Sequence, residues 1–389
     1  MIDAIRGKPQ ERRAVCYMVT SARGKAAKQC ANNVGYKIIY NYWKQMNKIR
    51  IAINGAGRIG RAFYKIARER EEIEVVAMND LGDIKNIAYL LKYDSAYGKS
   101  KFDVKVREDN KAFSIDGKEV LFVSEKDPAN LPWKDLNIDV VIESTGFFTS
   151  FAGARAHIQA GAKRVVISAP AKDDPKDATE GTILMGLNEG DLSVCEVSSN
   201  ASCTTNAASP LIQILHEAIG IEKAVLSTTH AYTASQSIVD SPAKKDFKEG
   251  RAAAHNIVPT STGAAIAVTK VVKNLTGLFD GISLRVPVIA GSIADVTFIA
   301  KRDTTAEEVN DILRKAAQDP RWAKTFTVTD EQLVSSDIVG SSYAAIADLG
   351  LTRVIGGNLV KVMSWYDNEM GYTHSLVEHA IQTGSHIKK

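Results

Sequence analysis

Residues 49–80 constrain this chain more than any other stretch. Ile49–Asn54 reads I-R-I-A-I-N, an alternating β-branched run that predicts a strand. It breaks into Gly55-Ala-Gly-Arg-Ile-Gly60, after which Ile59, Ala62, Phe63, Ile66 and Ala67 recur at helical spacing. Ile73–Met78 predicts a second strand, closed by Asn79 and Asp80. A G-x-G-x-x-G segment that leaves a strand, opens a helix and is followed by an acid 20 residues past Gly60 is a dinucleotide-binding fingerprint in its confirming context. Gly55, Gly57 and Gly60 allow a tight turn and let backbone approach a pyrophosphate closely, and the helix start offers free N–H groups to it. Asp80 can accept from ribose hydroxyls, and its charge repels a 2′-phosphate, which favours NAD over NADP. A bare glycine turn without a ligand is the plainer reading, and the company of strand, helix and acid weighs against it.

Further short buried runs at Val140–Glu143 and Arg164–Ile167, the second after a helix-like stretch at Phe151–Ala162, continue the strand–helix alternation. That alternation predicts an α/β fold with a doubly wound parallel sheet. From about residue 203 the texture changes. Ala224–Thr229, Ile282–Val288 and Asp295–Ala300 read as longer strands, and Glu307, Val309, Ile312, Leu313 and Ala316 as a helix, with Thr304 and Glu307 fitting a capping box. This second half is expected to be an α+β domain with a largely antiparallel sheet and helices on one side. Tyr372–Gln382 is helical again. The expected domains are 46–202, 203–367, and a C-terminal helix over 368–389 that returns to the first domain. At 389 residues, the chain suits two domains and can bury a sizeable core.

Composition excludes several classes. No apolar run approaches the ~18 residues that cross a bilayer, and four cysteines do not make a disulfide scaffold. The net charge of +4 is unevenly placed: residues 1–45 carry nine Lys or Arg against Asp3 and Glu11, so the rest carries −3. A mildly acidic body argues against a nucleic-acid binder. Residues 1–45, with Cys16 and Cys30, show no clean period. Three readings stand for them: a mis-assigned start with initiation at Met46, a basic targeting or interaction arm, or a small folded addition.

The chemistry-bearing segment is Ser199-Asn-Ala-Ser-Cys203-Thr-Thr-Asn206, followed by the helical apolar residues Leu211, Ile212, Ile214 and Leu215. Cys203 therefore falls at a helix N-terminus, where the dipole favours a thiolate. A buried inert cysteine is the usual alternative; that is the expectation for Cys195, read on a strand. His230 closes the strand Ala224–Thr229 and opens a polar loop, so it can serve Cys203 as base. The other six histidines lack a motif, and no Cys/His spacing suggests a metal. Thr233, the run Pro259-Thr-Ser-Thr-Gly-Ala264 and Arg285 form a third group whose hydroxyls, N–H groups and guanidinium suit phosphate. Taken singly, each is more often structural.

These motifs carry a resemblance. I-N-G-A-G-R-I-G-R, L-L-K-Y-D-S at Leu90–Ser95, E-S-T-G at Glu143–Gly146, S-S-N-A-S-C-T-T-N at Ser198–Asn206, T-G-A-A at Thr262–Ala265, L-R-V-P at Leu284–Pro287 and W-Y-D-N-E at Trp365–Glu369 resemble the phosphorylating glyceraldehyde-3-phosphate dehydrogenase family, from Ile49 to the C-terminus. Cys203 and His230 stand 27 positions apart, as the family's catalytic pair does. The resemblance implies a Rossmann NAD domain, Cys203 as nucleophile and His230 as its activator. It implies that Ser202, Thr204, Thr233, Thr262, Gly263 and Arg285 form two anion pockets, for the substrate phosphate and for inorganic phosphate. It also implies that Arg58, Ile59, Asp80, Lys126, Ser168 and Asn368 contact NAD. The implied activity converts glyceraldehyde 3-phosphate and inorganic phosphate to 1,3-bisphosphoglycerate through a thioester. The implied state is a cytoplasmic homotetramer, with the loop from Asp240 to Arg251 near a neighbour's cofactor.

The chain departs from the family at Ala207, where many members have a second Cys, and at Glu249 and Met370, where basic and aromatic residues are common. Gly82 leaves room near the adenosine ribose, so NADP use stays open. Two other readings remain beside this one. A thiol-dependent dehydrogenase of another aldehyde, such as erythrose 4-phosphate, would keep the same machinery. A non-catalytic dinucleotide- or RNA-binding protein would not need Cys203 and His230.

Overall fold

The structure is a computed structural model that describes residues 48–243 and 246–387. Residues 1–45, and the three readings of them, lie outside the described residues.

Ile49–Asn54 is the centre of a nine-stranded sheet. It pairs in parallel with Ile73–Asn79 on one side and with Val140–Glu143 on the other. Arg164–Ile167, Val197–Ser199 and Glu180–Thr182 extend the parallel ladder beyond Val140–Glu143. Strands buried on both faces read as continuous apolar runs, which is why V-V-I-E and R-V-V-I carry no alternation. Ile51 and Ile53 point into a core roofed by the Arg58–Ala67 and Ile84–Lys92 helices. Ala52 and Ala77 face the opposite core, with Trp133 and Phe151. The sheet is thus doubly wound, and strand order reverses beside Ile49–Asn54, the switch point where such sheets bind ligands.

Three details differ from the sequence reading. The stretch at 151–162 is two single-turn helices, Phe151–Ala154 and Ala156–Gln159, that meet at Arg155. The far edge of the sheet is a set of strands that the apolar pattern did not announce, Val104–Val106, Ala112–Ile115 and Lys118–Val123. The last two form a hairpin over Asp116-Gly117, whose φ values of 48° and 77° suit a two-residue turn of this kind. Cys195 lies in the bend before Val197–Ser199 and not on a strand.

The second half is an eight-stranded sheet, mostly antiparallel. Ile221–Ala231 runs parallel to Phe279–Val286 and antiparallel to Ser292–Ala300, which pairs with Leu359–Tyr366. The Cys203–Ile219, Ala264–Val271 and Ala306–Ala317 helices bury one face around Leu211, Val268, Phe298 and Leu313. Val225 and Ile282, on the strands, stay exposed. The cap is displaced by one residue and is not a full capping box: Thr305 is the N-cap and accepts from the Glu308 N–H, while Thr304 is buried and donates to the Glu308 carboxylate. The last helix, Met370–Ser385, packs Tyr372, Leu376, Val377, Ala380 and Ile381 into the core that holds Ile49 and Phe63. No helix among the described residues is long and apolar enough to cross a membrane.

Candidate active site

The glycine turn is shaped by close contacts. Gly55 has φ 99°, and a Cβ there would come within 2.6 Å of the Thr145 nitrogen. A Cβ on Gly60 would overlap the Gly55 carbonyl oxygen. A Cβ on Gly57, by contrast, would meet nothing within 4 Å beyond its own chain neighbours and helix backbone. Gly57 is the N-cap of the Arg58–Ala67 helix and supplies no side-chain cap. Two glycines therefore make the turn possible, and the third leaves open space at an uncapped helix start.

Asp80 lies beside this turn. Its carboxylate accepts from the Ala56 and Gly82 N–H groups, each at 2.7 Å, which fixes it at the end of the second strand with lone pairs to spare. Gly82 has the Asp80 Oδ1 within 3.1 Å of where a Cβ would stand, so the room expected there is limited. Arg58 gives its guanidinium to two carboxylates. It donates to Glu369 through Nε at 2.8 Å and through Nη2, and to Asp94 at 2.9 Å. Ile59 is half-buried, Lys126 is exposed, and Ser168 donates its N–H to the Glu143 carbonyl at 2.9 Å.

Cys203 and His230 stand where the two halves meet. Cys203 opens its helix, with Ser202 as N-cap accepting from the Thr205 N–H. Its side chain packs against both the core of the first sheet and the core of the second. His230 sits one residue from the end of its strand and is 3% exposed. The Cys203 Sγ and His230 Nε2 are 3.3 Å apart. A chain of contacts joins this pair to the glycine turn. Arg58 holds Glu369, Asn368 next to it accepts from the Ser292 hydroxyl at 3.1 Å, and that hydroxyl accepts from the Ala231 N–H at 3.0 Å.

Burial acts on both members of the pair. It pushes the Cys203 thiol up, with the Arg285 guanidinium and the hydrogen bonds of the first helical turn pulling the other way. It pushes the His230 imidazole down to about 3, and Arg285 adds to that. The sequence reading expected the helix start to favour a thiolate; desolvation is the larger effect and works against it. Proton transfer from Sγ to Nε2 leaves the net charge of the pocket unchanged, and the two opposite charges it creates offset part of the desolvation each would meet alone. The His230 Nδ1 is 2.6 Å from the Ala231 carbonyl and 2.5 Å from the Arg285 Nη1.

The remaining expected anion ligands are distributed as follows. Arg285 reaches His230 from the neighbouring parallel strand, which places its charge at the pair. Thr204 is buried, and its hydroxyl meets the Tyr366 hydroxyl at 3.0 Å, which meets Thr228 at 2.7 Å. The Ser202 hydroxyl also meets Thr205 Oγ1 at 2.8 Å. Thr262 accepts from the Ala264 N–H at 3.2 Å, and Gly263 caps the Ala264–Val271 helix with open space beside it. Thr233 pairs with the Ser235 hydroxyl at 3.1 Å. Tyr366, Thr228, Ser292 and Glu369 are site residues that the sequence reading did not single out. Tyr366 and Glu369 lie within the W-Y-D-N-E motif, which was the available signal.

Cys195 is a buried free thiol pushed up to about 11 by desolvation. Among the described residues no group of His, Cys, Asp and Glu is placed to hold a metal.

Two family models match the chain. The one described as glyceraldehyde 3-phosphate dehydrogenase, NAD binding domain, matches residues 49–151, and the one described as its C-terminal domain matches residues 202–368. Curated relatives include glyceraldehyde-3-phosphate dehydrogenases from Borreliella burgdorferi, Streptomyces coelicolor and Thermotoga maritima. The first is 47% identical over 85% of this chain and 98% of its own length. The second is 46% identical over 87% and 99%. The third is 48% identical over 85% and 97%.

Proposed function

The chain belongs to the glyceraldehyde-3-phosphate dehydrogenase family, and from that premise we propose that Cys203 and His230 carry out an NAD-dependent, phosphorylating oxidation of D-glyceraldehyde 3-phosphate. The observation that carries the residue roles is the 3.3 Å contact between Sγ and Nε2 where the two cores meet. The turn fits NAD on its own geometry: open space beside Gly57, an uncapped helix start, and a fixed carboxylate at Asp80.

The Cys203 sulfur attacks the aldehyde carbon and its proton passes to His230 Nε2. His230 gives that proton to the carbonyl oxygen, which returns the imidazole to its neutral form, and the hemithioacetal stands on Cys203. NAD, when bound, supplies the hydride acceptor that makes oxidation to a thioester possible. His230 takes the hydroxyl proton in that step, a form of base help worth ~10²–10⁴-fold. A phosphate oxygen then attacks the thioester carbon, the C–S bond breaks, and Cys203 leaves as thiolate with the acyl phosphate released. A serine ester in the same place would be a poorer acyl donor, which is the chemical reason for sulfur. Arg285, Thr233, Thr204, Ser202, Thr262 and Gly263 serve the two phosphate groups. Arg58, Ile59, Lys126, Ser168 and Asn368 serve NAD with the glycines and Asp80.

The same reading takes the chain to act as a cytoplasmic homotetramer, with domains over 46–202 and 203–367 and a C-terminal segment from 368 whose helix, Met370–Ser385, returns to the first domain. The loop between Asp240 and Arg251, pinned by an exposed ion pair of those two residues, faces a neighbour's cofactor site in that assembly. The deciding assay is NADH formation from the aldehyde with and without phosphate. Turnover should require phosphate, and Cys203→Ala should lose turnover while still binding NAD. A Cys203→Ala enzyme keeping a tenth of the normal kcat contradicts the assignment. Sedimentation of the purified protein tests the tetramer.

A further inference from the structure

Three polar side chains of the last helix are aimed at the loop that delivers Cys203. Tyr372, Ser375 and His379 follow one another at i, i+3 and i+7 and share a face. They are 4%, 1% and 0% exposed. The Tyr372 hydroxyl donates to the Ala201 carbonyl at 3.1 Å. The Ser375 hydroxyl donates to Asn206 Oδ1 at 2.8 Å, and the Asn206 amide in turn donates to the Asn200 and Ser202 carbonyls at 2.8 and 2.9 Å. His379 Nδ1 lies 3.0 Å from Asn200 Oδ1, and its Nε2 lies 2.8 Å from the Ser198 hydroxyl. With the ring neutral, Nδ1–H donates to Asn200 and Nε2 accepts from Ser198.

The loop they hold is strained. Ala201 has φ 55°, the left-handed region, and is fully buried two residues before the nucleophile. A residue with a Cβ persists there only where its surroundings over-determine it. Ala201 is gripped at both ends: its N–H donates to the Ser199 hydroxyl at 3.1 Å and its carbonyl accepts from Tyr372. The apolar face of the same helix, Leu376, Val377, Ala380 and Ile381, already packs into the first core. The polar stripe adds hydrogen-bond direction at the loop, which burial alone does not supply.

We propose that Tyr372, Ser375 and His379 are positioning residues for the nucleophile, holding Ala201 left-handed and thereby setting the separation of the Cys203 sulfur from His230. The inference rests on Cys203 being the nucleophile, and loss of turnover in Cys203→Ala tests that premise separately.

Tyr372→Phe keeps the ring and deletes one hydroxyl. The expected result is a kcat lower by about ten- to a hundredfold, the scale of a small misplacement of reacting groups. The pH profile of Cys203 alkylation by iodoacetamide shifts, and NAD affinity, read by fluorescence quenching, stays put. Adding Ala201→Gly to Tyr372→Phe should restore much of the kcat and the alkylation profile, because glycine enters the left-handed region freely. Ser375→Ala should give a smaller loss of the same kind and takes the place of Tyr372→Phe if that variant fails to fold. A variant that melts earlier yet keeps wild-type kcat and thiol profile overturns the proposal. So does a double variant no better than Tyr372→Phe alone.

Discussion

Acid should unfold this protein partly through one buried histidine behind the Cys203 loop. His379 is fully buried, and desolvation alone pushes it down to about 3 from an ordinary 6.5. Its folded pKa is depressed, so between those two values the unfolded chain binds the extra proton. The stability it confers is complete above pH 6.5 and is lost as pH falls toward 3. Worked with those two values, the loss between pH 7 and pH 5 is about 2 kcal/mol, at 1.36 kcal/mol per unit once the unfolded form is protonated. His379→Asn removes the titration and keeps a donor for Asn200. Guanidinium unfolding of both proteins at pH 7, 6 and 5 gives a difference in stability at each pH. That difference should close by about 2 kcal/mol in favour of the variant on going to pH 5. Carboxylates and the other histidines titrate in both proteins and cancel. Parallel curves, with the difference unchanged to within about 0.5 kcal/mol, refute the reasoning that burial keeps this ring neutral.

Other perturbations separate roles that the motif alone runs together. Gly60→Ala should destabilise the fold, because its Cβ meets the Gly55 carbonyl, whereas Gly57→Ala should leave the melting temperature unchanged and weaken NAD binding. If the two variants behave alike in melting and binding, the division of labour in the turn is wrong. Thr305→Ala should cost about 1 kcal/mol of stability through its lost cap, measured by denaturant midpoint, and an unchanged midpoint removes Thr305 from that role. Arg285→Gln should lower the iodoacetamide reactivity of Cys203 at neutral pH, because the guanidinium at the pair is the charge that pulls the thiol down against burial. Faster alkylation in that variant reverses the argument.

What could be read from the chain alone follows the reach of each signal. The glycine turn was legible because strand, turn, helix and Asp80 are local, within about thirty residues. The Asp116-Gly117 hairpin was equally local and was available from its turn residues, but the flanking runs are short and half polar. The helix cap was off by one because Thr304 and Thr305 each have a glutamate three residues on, and only packing chooses between them. The Arg58–Glu369 contact spans 311 residues, and no periodicity announces it. The same holds for the polar stripe of the last helix, where Tyr372, Ser375 and His379 look like ordinary surface-facing positions until the Cys203 loop is laid against them.

The electrostatics of Cys203 illustrate the same limit. A helix start is a property of a dozen neighbouring residues, and it was read correctly from Ser202 and the apolar period after Cys203. Desolvation is a property of the whole assembled chain. It depends on the last helix closing one side, the second sheet closing the other, and Tyr366 and Thr228 filling the space beneath. Only their sum decides whether a lone charge on sulfur is tolerated. That sum disfavours a lone charge on Cys203 and on His230 alike, and a proton that moves the 3.3 Å between them creates two opposite charges that offset part of that cost for each other. The functional unit is therefore the contact and not either residue, and what the fold has to maintain is a distance.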